Sequence, residues 1–263
     1  MRIDVGDGLH LNVIEEGKGV AILQIFGPGS DAASGGQSKI SMLADRYRVI
    51  VYDTRGGGDS DWADWYSMKT AADDAASLLN TLNIDKAVVY GGSNGAIVAL
   101  YFALRHRDKA LALILDGSSA AVNFVAAKNW RNLALRTIQE GRDVLAEATG
   151  AVAGAGLEFK IDPSERVKDV KVPDPKAQFA MLNGIADLYD NPLEPQLKDI
   201  MCPTLILIGE NDKLAGVGGS VRINRNMPGS TLRILKDSGH TVVGTTPDVA
   251  REEINTFLDG VLP

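Results

Sequence analysis

A chain of 263 residues with 45% hydrophobic and 23% charged side chains has the make-up of an ordinary globular protein, long enough for two small domains or one large α/β domain with an insertion. The net charge of −7, with Arg131, Arg136 and Arg142 scattered among apolar and acidic positions, argues against nucleic acid or an anionic membrane as partner. Cys202 is the only cysteine, so no internal disulfide forms; with no apolar signal core after Met1 and no apolar run of membrane-spanning length, the expectation is a cytoplasmic monomer or homodimer acting on a small molecule.

Short apolar runs alternate with longer stretches of helical period, the pattern of a mostly parallel sheet with crossover helices. Leu9–Val13 alternates and fits an antiparallel edge hairpin with the first residues. Gly19–Phe26 and Tyr47–Tyr52 read as strands, the second running into the turn Asp53-Thr54-Arg55-Gly56-Gly57-Gly58-Asp59-Ser60. Trp62, Trp65 and Tyr66 follow and read as anchors for the next helix, whose inner face carries Ala71, Ala75, Leu78, Leu79 and Leu82. That helix leads into a strand at Lys86–Tyr90. Asn94–Leu104 is apolar almost all round, as a buried helix is, and Ala110–Leu115 is the next strand.

From Ser119 to Lys198 the alternation stops. Amphipathic stretches, a small-residue run (Ala148–Gly156) and a charged linker (Asp162–Pro175) replace it, and so long a stretch without strands predicts a helical cap, not a structureless loop. Strands resume at Pro203–Ile208 and Thr231–Leu235. Thr246 is placed to cap a last helix with Pro247 at its first position and Val249, Ile254, Phe257 and Leu258 facing inward. The expected organisation is a core of residues 1–118 and 199–263 with a cap at 119–198.

The chemistry concentrates in Gly91-Gly92-Ser93-Asn94-Gly95, a Gly-x-Ser-x-Gly turn between a strand and an apolar helix. A nucleophile on a sharp, strained turn needs small flanking residues, because side chains at Gly91 or Gly95 would collide with backbone. The helix after the turn points N–H groups toward developing negative charge. Serine needs a base, and only three histidines are present. His10 lies in the N-terminal hairpin and His106 at the end of the helix after Ser93, both read as surface positions. His240 follows the last strand, on the sheet edge where the Ser93 turn emerges. For the carboxylate that fixes the base, Asp212, after the Pro203–Ile208 strand, is preferred on loop position. Asp116 also ends a core strand and competes for the role, while Glu210 reads as solvated.

The order Ser93, Asp212, His240 resembles the α/β-hydrolase superfamily, whose triad runs serine, acid, histidine. The Asp53–Ser60 turn is similar to the Asp-x-Arg-Gly-x-Gly-x-Ser turn of many members, where it is structural. The resemblance spans the chain, the inserted segment standing where the family places its cap. It implies an α/β-hydrolase fold: a mostly parallel central sheet flanked by helices, with a helical cap insertion. The chain departs from the family's His-Gly-x-Pro-Gly, having Ile25-Phe26-Gly27-Pro28-Gly29 instead. Aligned on Pro28-Gly29-Ser30, Gly27 and Asn94 supply the two oxyanion N–H groups, with Phe26 as the alternative if the loop is one residue out of register; Pro28 has no N–H. The zearalenone lactonases also lack that His-Gly, which keeps lactones among the substrates implied.

The expected activity is cofactor-free and metal-free hydrolysis of a carboxylic ester or lactone through an acyl-enzyme, with Phe26, Phe124 and Trp130 walling an apolar pocket between core and cap. The competing readings are C–C bond hydrolysis, hydroxynitrile lysis or perhydrolysis on the same triad, or a non-catalytic ligand-binding protein of the same fold. A nucleotide-binding protein is disfavoured, because Gly27-Pro28-Gly29 lacks the Gly-x-Gly-x-x-Gly spacing.

Overall fold

The computed structural model describes residues 1–34, 40–141 and 173–262. Its centre is one eight-stranded sheet built from β1 (Arg2–Asp4), β2 (His10–Glu16), β3 (Ala21–Ile25), β4 (Arg48–Tyr52), β5 (Ala87–Gly92), β6 (Ala110–Asp116), β7 (Thr204–Gly209) and β8 (Ser230–Leu235), in the order β1-β2-β4-β3-β5-β6-β7-β8. The β1–β2 and β2–β4 pairs are antiparallel, and all pairs from β4–β3 to β7–β8 are parallel. The edge hairpin and all six predicted parallel strands are therefore present.

The parallel strands are apolar at successive positions because helices cover both faces. Alternate residues feed two cores. Leu23, Ile25, Val89, Leu113, Leu115 and Ile206 face one, with α1 (Met68–Thr81) and α2 (Asn94–Arg105) packed on it. Ile22, Val88, Tyr90, Ile114, Leu205 and Leu207 face the other, and α7 (Pro247–Val261) covers that side with Ala250, Ile254 and Leu258. Ser67 caps α1 by accepting the Thr70 N–H. At the sheet edge β8 is half exposed.

The regular elements described between β6 and β7 are α3 (Phe124–Glu140), α4 (Pro175–Asp187) and a 3-10 turn at Glu194–Asp199. The two helices pack on one another, and α4 also reaches α1 and α2. A buried polar joint fixes α4 to the core. The Tyr66 hydroxyl donates to Asp174 at 2.6 Å, the Asp174 carboxylate caps α4 at the Lys176 N–H, and the Asp174 N–H donates to the Gly56 carbonyl. The chain after β7 adds α5 (Val217–Asn226) and the short α6 (Val242–Thr245). Among the described residues no helix is long and apolar enough to cross a membrane.

Three expectations are corrected. Val249 is 45% exposed, and Ala250, one position on, takes the inner face because it stands four residues before Ile254. Thr246 stands at the N-cap of α7 without capping it, since its hydroxyl bonds Ser238 Oγ at 2.6 Å. Trp62 and Trp65 are exposed; Tyr66 alone of the three is buried, and it anchors α4. The small-residue run Ala148–Gly156, and the charged linker up to residue 172, lie outside the described residues.

Candidate active site

Ser93 joins β5 to α2 with φ 52° and ψ −117°, a conformation that costs a non-glycine residue about 1–3 kcal/mol. The turn is this tight because its neighbours have no side chains. A Cβ on Gly95 would be driven into the carbonyl oxygen of Ile25, and one on Gly91 into the backbone of Gly95. The Ser93 N–H donates to the Asp116 carbonyl at 2.8 Å, tying the turn to the end of β6.

His240 and Asp212 converge on this turn. His240 Nε2 is 2.8 Å from Ser93 Oγ, and His240 Nδ1 is 2.9 Å from Asp212 Oδ2. The imidazole and the carboxylate are buried. Asp212 Oδ1 accepts the N–H groups of Leu214 and Ala215 at 2.7 and 3.0 Å, which aims Oδ2 at the ring. Burial works against the Asp212 charge, but the hydrogen bond from His240 and the two amides outweigh it and hold the carboxyl below its ordinary value. The network assigns the proton to Nδ1 and leaves the Nε2 lone pair to accept the serine hydroxyl.

Asp116 does not hydrogen-bond the imidazole. It is fully buried and accepts from the Tyr90 hydroxyl at 2.8 Å and from the N–H groups of Val242 and Val243 at 2.6 and 3.1 Å. Burial raises its carboxyl above the ordinary value against the pull of those donors. Of the two acids, Asp212 is therefore the one that meets His240. Glu210 is exposed and accepts the Asp237 N–H. His10 pairs with Asp61 and His106 with Asp73, away from Ser93. Asp53 accepts from Asn12 Nδ2 and from the N–H groups of Ala33, Ser34 and Asp59, so its turn is held together by its own carboxylate.

Gly27 lies against Asn94: a Cβ at residue 27 would stand 3.1 Å from Asn94 Cβ. The Gly27 carbonyl accepts from Thr54 Oγ1 at 3.0 Å, and Asn94, as the first residue of α2, has no preceding turn to receive its N–H. Met181 of α4 covers both residues, its Sδ lying 3.3 Å from Asn94 Nδ2 and 3.0 Å from where a Gly27 Cβ would be.

Ser93, Asn94 and His240 border a cavity of about 260 Å³. Trp130 of α3 lines it, together with Ile97, Val122, Ile185, Leu188 and Leu214. Ser119, Asn123 and Arg222 add polar groups, and Arg222 Nε donates to Glu194 at 2.8 Å. Phe26 and Phe124 do not line it. Phe26 packs against the second core, and Phe124, 59% exposed, meets Tyr189 edge-on. Met181, Ile185 and Leu188 went unpredicted although their i, i+4, i+7 spacing marks one helical face; nothing in the spacing tells which way that face looks.

The family model of the alpha/beta hydrolase fold matches residues 34–247. This chain belongs to the α/β-hydrolase family. As a hydrolase of that family it is 28% identical to the 2-(acetamidomethylene)succinate hydrolase of Mesorhizobium japonicum, over 98% of this chain and 94% of the relative. It is 26% identical to 3-oxoadipate enol-lactonase 1 of Acinetobacter baylyi, over 78% of this hydrolase and 76% of that one. Among solved structures, a thermophilic esterase from Thermogutta terrifontis superposes with a TM-score of 0.81 at 27% identity, over 100% of this chain and 99% of the other.

Proposed function

We propose that this hydrolase cleaves a carboxylic ester or lactone of a small to medium, largely apolar substrate through an acyl-enzyme on Ser93. The reading rests on one observation, the unbroken hydrogen-bond relay from Ser93 Oγ through His240 to Asp212 at the edge of a cavity with both apolar and polar walls. His240 Nε2 takes the serine proton as Oγ attacks the carbonyl carbon, and Asp212 stabilises the imidazolium that forms. The N–H groups of Gly27 and Asn94 receive the oxyanion. His240 then protonates the leaving alcohol, or the ring oxygen of a lactone, and the same residue activates the water that releases the acid. Helices α3 and α4 act as the described part of the cap, with Trp130, Ile185 and Leu188 setting the shape of the acyl pocket. An esterase and an enol-lactonase among the relatives fit carbonyl–oxygen cleavage.

The test is incubation with an alkyl fluorophosphonate and, separately, a mixed panel of esters and lactones, followed by mass spectrometry of the intact protein and its peptides. Stoichiometric labelling at Ser93, abolished by Ser93→Ala, is the expected result. Absence of labelling would favour a ligand-binding role, and turnover of diketones or peracid formation in place of ester cleavage would replace the bond assigned here.

A further inference from the structure

The loop that carries His240 leaves the edge strand β8 and must travel back across the ends of β7 and β6 to reach the Ser93 turn at the end of β5. Its path is marked by three contacts. At β7, the Asn211 N–H donates to the Ser238 carbonyl at 3.0 Å, and Gly209 lacks the Cβ that would strike the backbone of Ser238 and Gly239. At β6, a Cβ on Gly117 would stand 3.1 Å from both Cε1 and Nδ1 of His240, so the ring lies directly on that glycine. Just beyond the ring, Thr241 takes φ 56°, a left-handed conformation in which a β-branched residue is strained. The next two residues hold that strain in place, because both the Val242 and Val243 N–H groups end on the Asp116 carboxylate.

We propose that Asp116 is a positioning residue of the site, clasping the His240 loop onto the Ser93 turn and placing a second negative charge beside the imidazole. This rests on the hydrolase reading above and extends it. Asp116 holds both halves of the relay: its backbone carbonyl accepts the Ser93 N–H, and its side chain accepts the two amides after Thr241. Tyr90, three residues before Ser93 on β5, supplies the third donor to the carboxylate, so the clasp spans three segments. Each carboxylate oxygen already receives an amide N–H, an arrangement that suits the anion. Nothing in the transfer of the serine proton requires Asp116 to move or titrate; its charge and its hold on residues 242 and 243 fix where Nε2 stands, and small displacements of a general base are costly in rate.

Among the described residues, the charged groups arranged about the imidazole are Asp212 from the loop after β7, Asp116 from the end of β6, and Arg222 of α5, which borders the same cavity. Removing the Asp116 charge makes the imidazolium less favourable, so the acid limb of a rate profile moves to lower pH. The experiment is the rate of fluorophosphonate labelling of Ser93 against pH for wild type, Asp116→Asn and Tyr90→Phe, which needs no knowledge of the substrate. Asp116→Asn is expected to label on the order of tenfold more slowly at its plateau, with the reversible affinity for the probe within about twofold and the acid limb displaced downward. Tyr90→Phe keeps the charge and both amide contacts; it is expected to slow labelling about threefold with the acid limb in place.

Wild-type rate and profile in Asp116→Asn would overturn the assignment, as would slower labelling with an unmoved acid limb, the mark of a merely structural residue. If Asp116→Asn does not fold, Tyr90→Phe decides alone, and labelling at the wild-type rate overturns the clasp. A wild-type protein that the probe does not label overturns the hydrolase reading and this inference with it, whereas a labelled wild type matched in rate and profile by Asp116→Asn overturns this inference alone.

Discussion

His240 and Ser93 are 147 positions apart in the chain, yet Nε2 of the one stands 2.8 Å from Oγ of the other. Neither local preference nor periodicity brings them together. The meeting depends on β5 and β8 being parallel members of one sheet, so that the chain after each emerges on the same edge, and on a loop that crosses two intervening strand ends.

That loop is useful only if the ring it delivers is held in one tautomer, which is the work assigned to Asp212. Replacing Asp212 by Asn is expected to lower kcat by about 10⁴-fold on any ester that wild type cleaves, while leaving the fold intact. The same substitution has a signature in stability. The Asp212 carboxyl is held below its ordinary value in the folded protein, so its contribution is present above the unfolded-state pKa of about 3.9 and is lost as pH falls through the folded-state value. Melting temperatures of wild type and Asp212→Asn, separate at neutral pH, therefore converge below about pH 4. A gap that stays constant down to about pH 2 would contradict the assigned shift.

Ser93 is strained, and relieving the strain has a predictable direction. Ser93→Gly removes the nucleophile and accepts φ 52° without a Cβ penalty. It is expected to abolish fluorophosphonate labelling and raise unfolding stability by about 1 kcal/mol, net of the extra freedom glycine gives the unfolded chain. Chemical denaturation of the two proteins checks it, and a destabilised variant would show that the turn is not strained.

The oxyanion loop offers a paired test. In Gly27→Ala the new Cβ arrives 3.0 Å from Met181 Sδ and 3.1 Å from Asn94 Cβ, crowding both N–H donors. Loss of a single donor costs about 10²-fold in such sites, and displacement of one is expected to cost about tenfold in kcat. Met181→Ala in the same chain removes the flexible half of the collision and recovers part of the loss. Equal rates for Gly27→Ala and wild type would move the oxyanion donor to Phe26.

Trp130 is the one predicted aromatic wall that borders the cavity. Trp130→Ala enlarges the acyl side, so the preferred chain length among p-nitrophenyl esters is expected to lengthen by about two carbons, with kcat/KM on acetate reduced. An unchanged chain-length profile would place the acyl group elsewhere.

The strands of the sheet and the tight turn at Ser93 were legible in the sequence for a local reason. Apolar runs such as Leu205–Ile208 have to be buried on both faces, and Gly91 and Gly95 leave a tight turn with room for one hydroxyl; these are properties of a few consecutive residues. His240 was readable by elimination. The choice between Asp212 and Asp116 was not, because each ends a core strand and the two differ only in what the returning loop brings to them: Nδ1 of His240 to one, the amides of residues 242 and 243 to the other. The cavity walls were likewise decided late. Phe124 and Trp130 are both aromatic residues of one helix, but α3 is rotated by its packing on α4 so that Trp130 turns inward and Phe124 stays 59% exposed. Sequence alone determined what lies along each strand and at each turn, since burial and sterics act on neighbouring residues. Which carboxylate meets His240, and which side chains line the cavity, were fixed only when segments far apart in the chain were set side by side by the sheet.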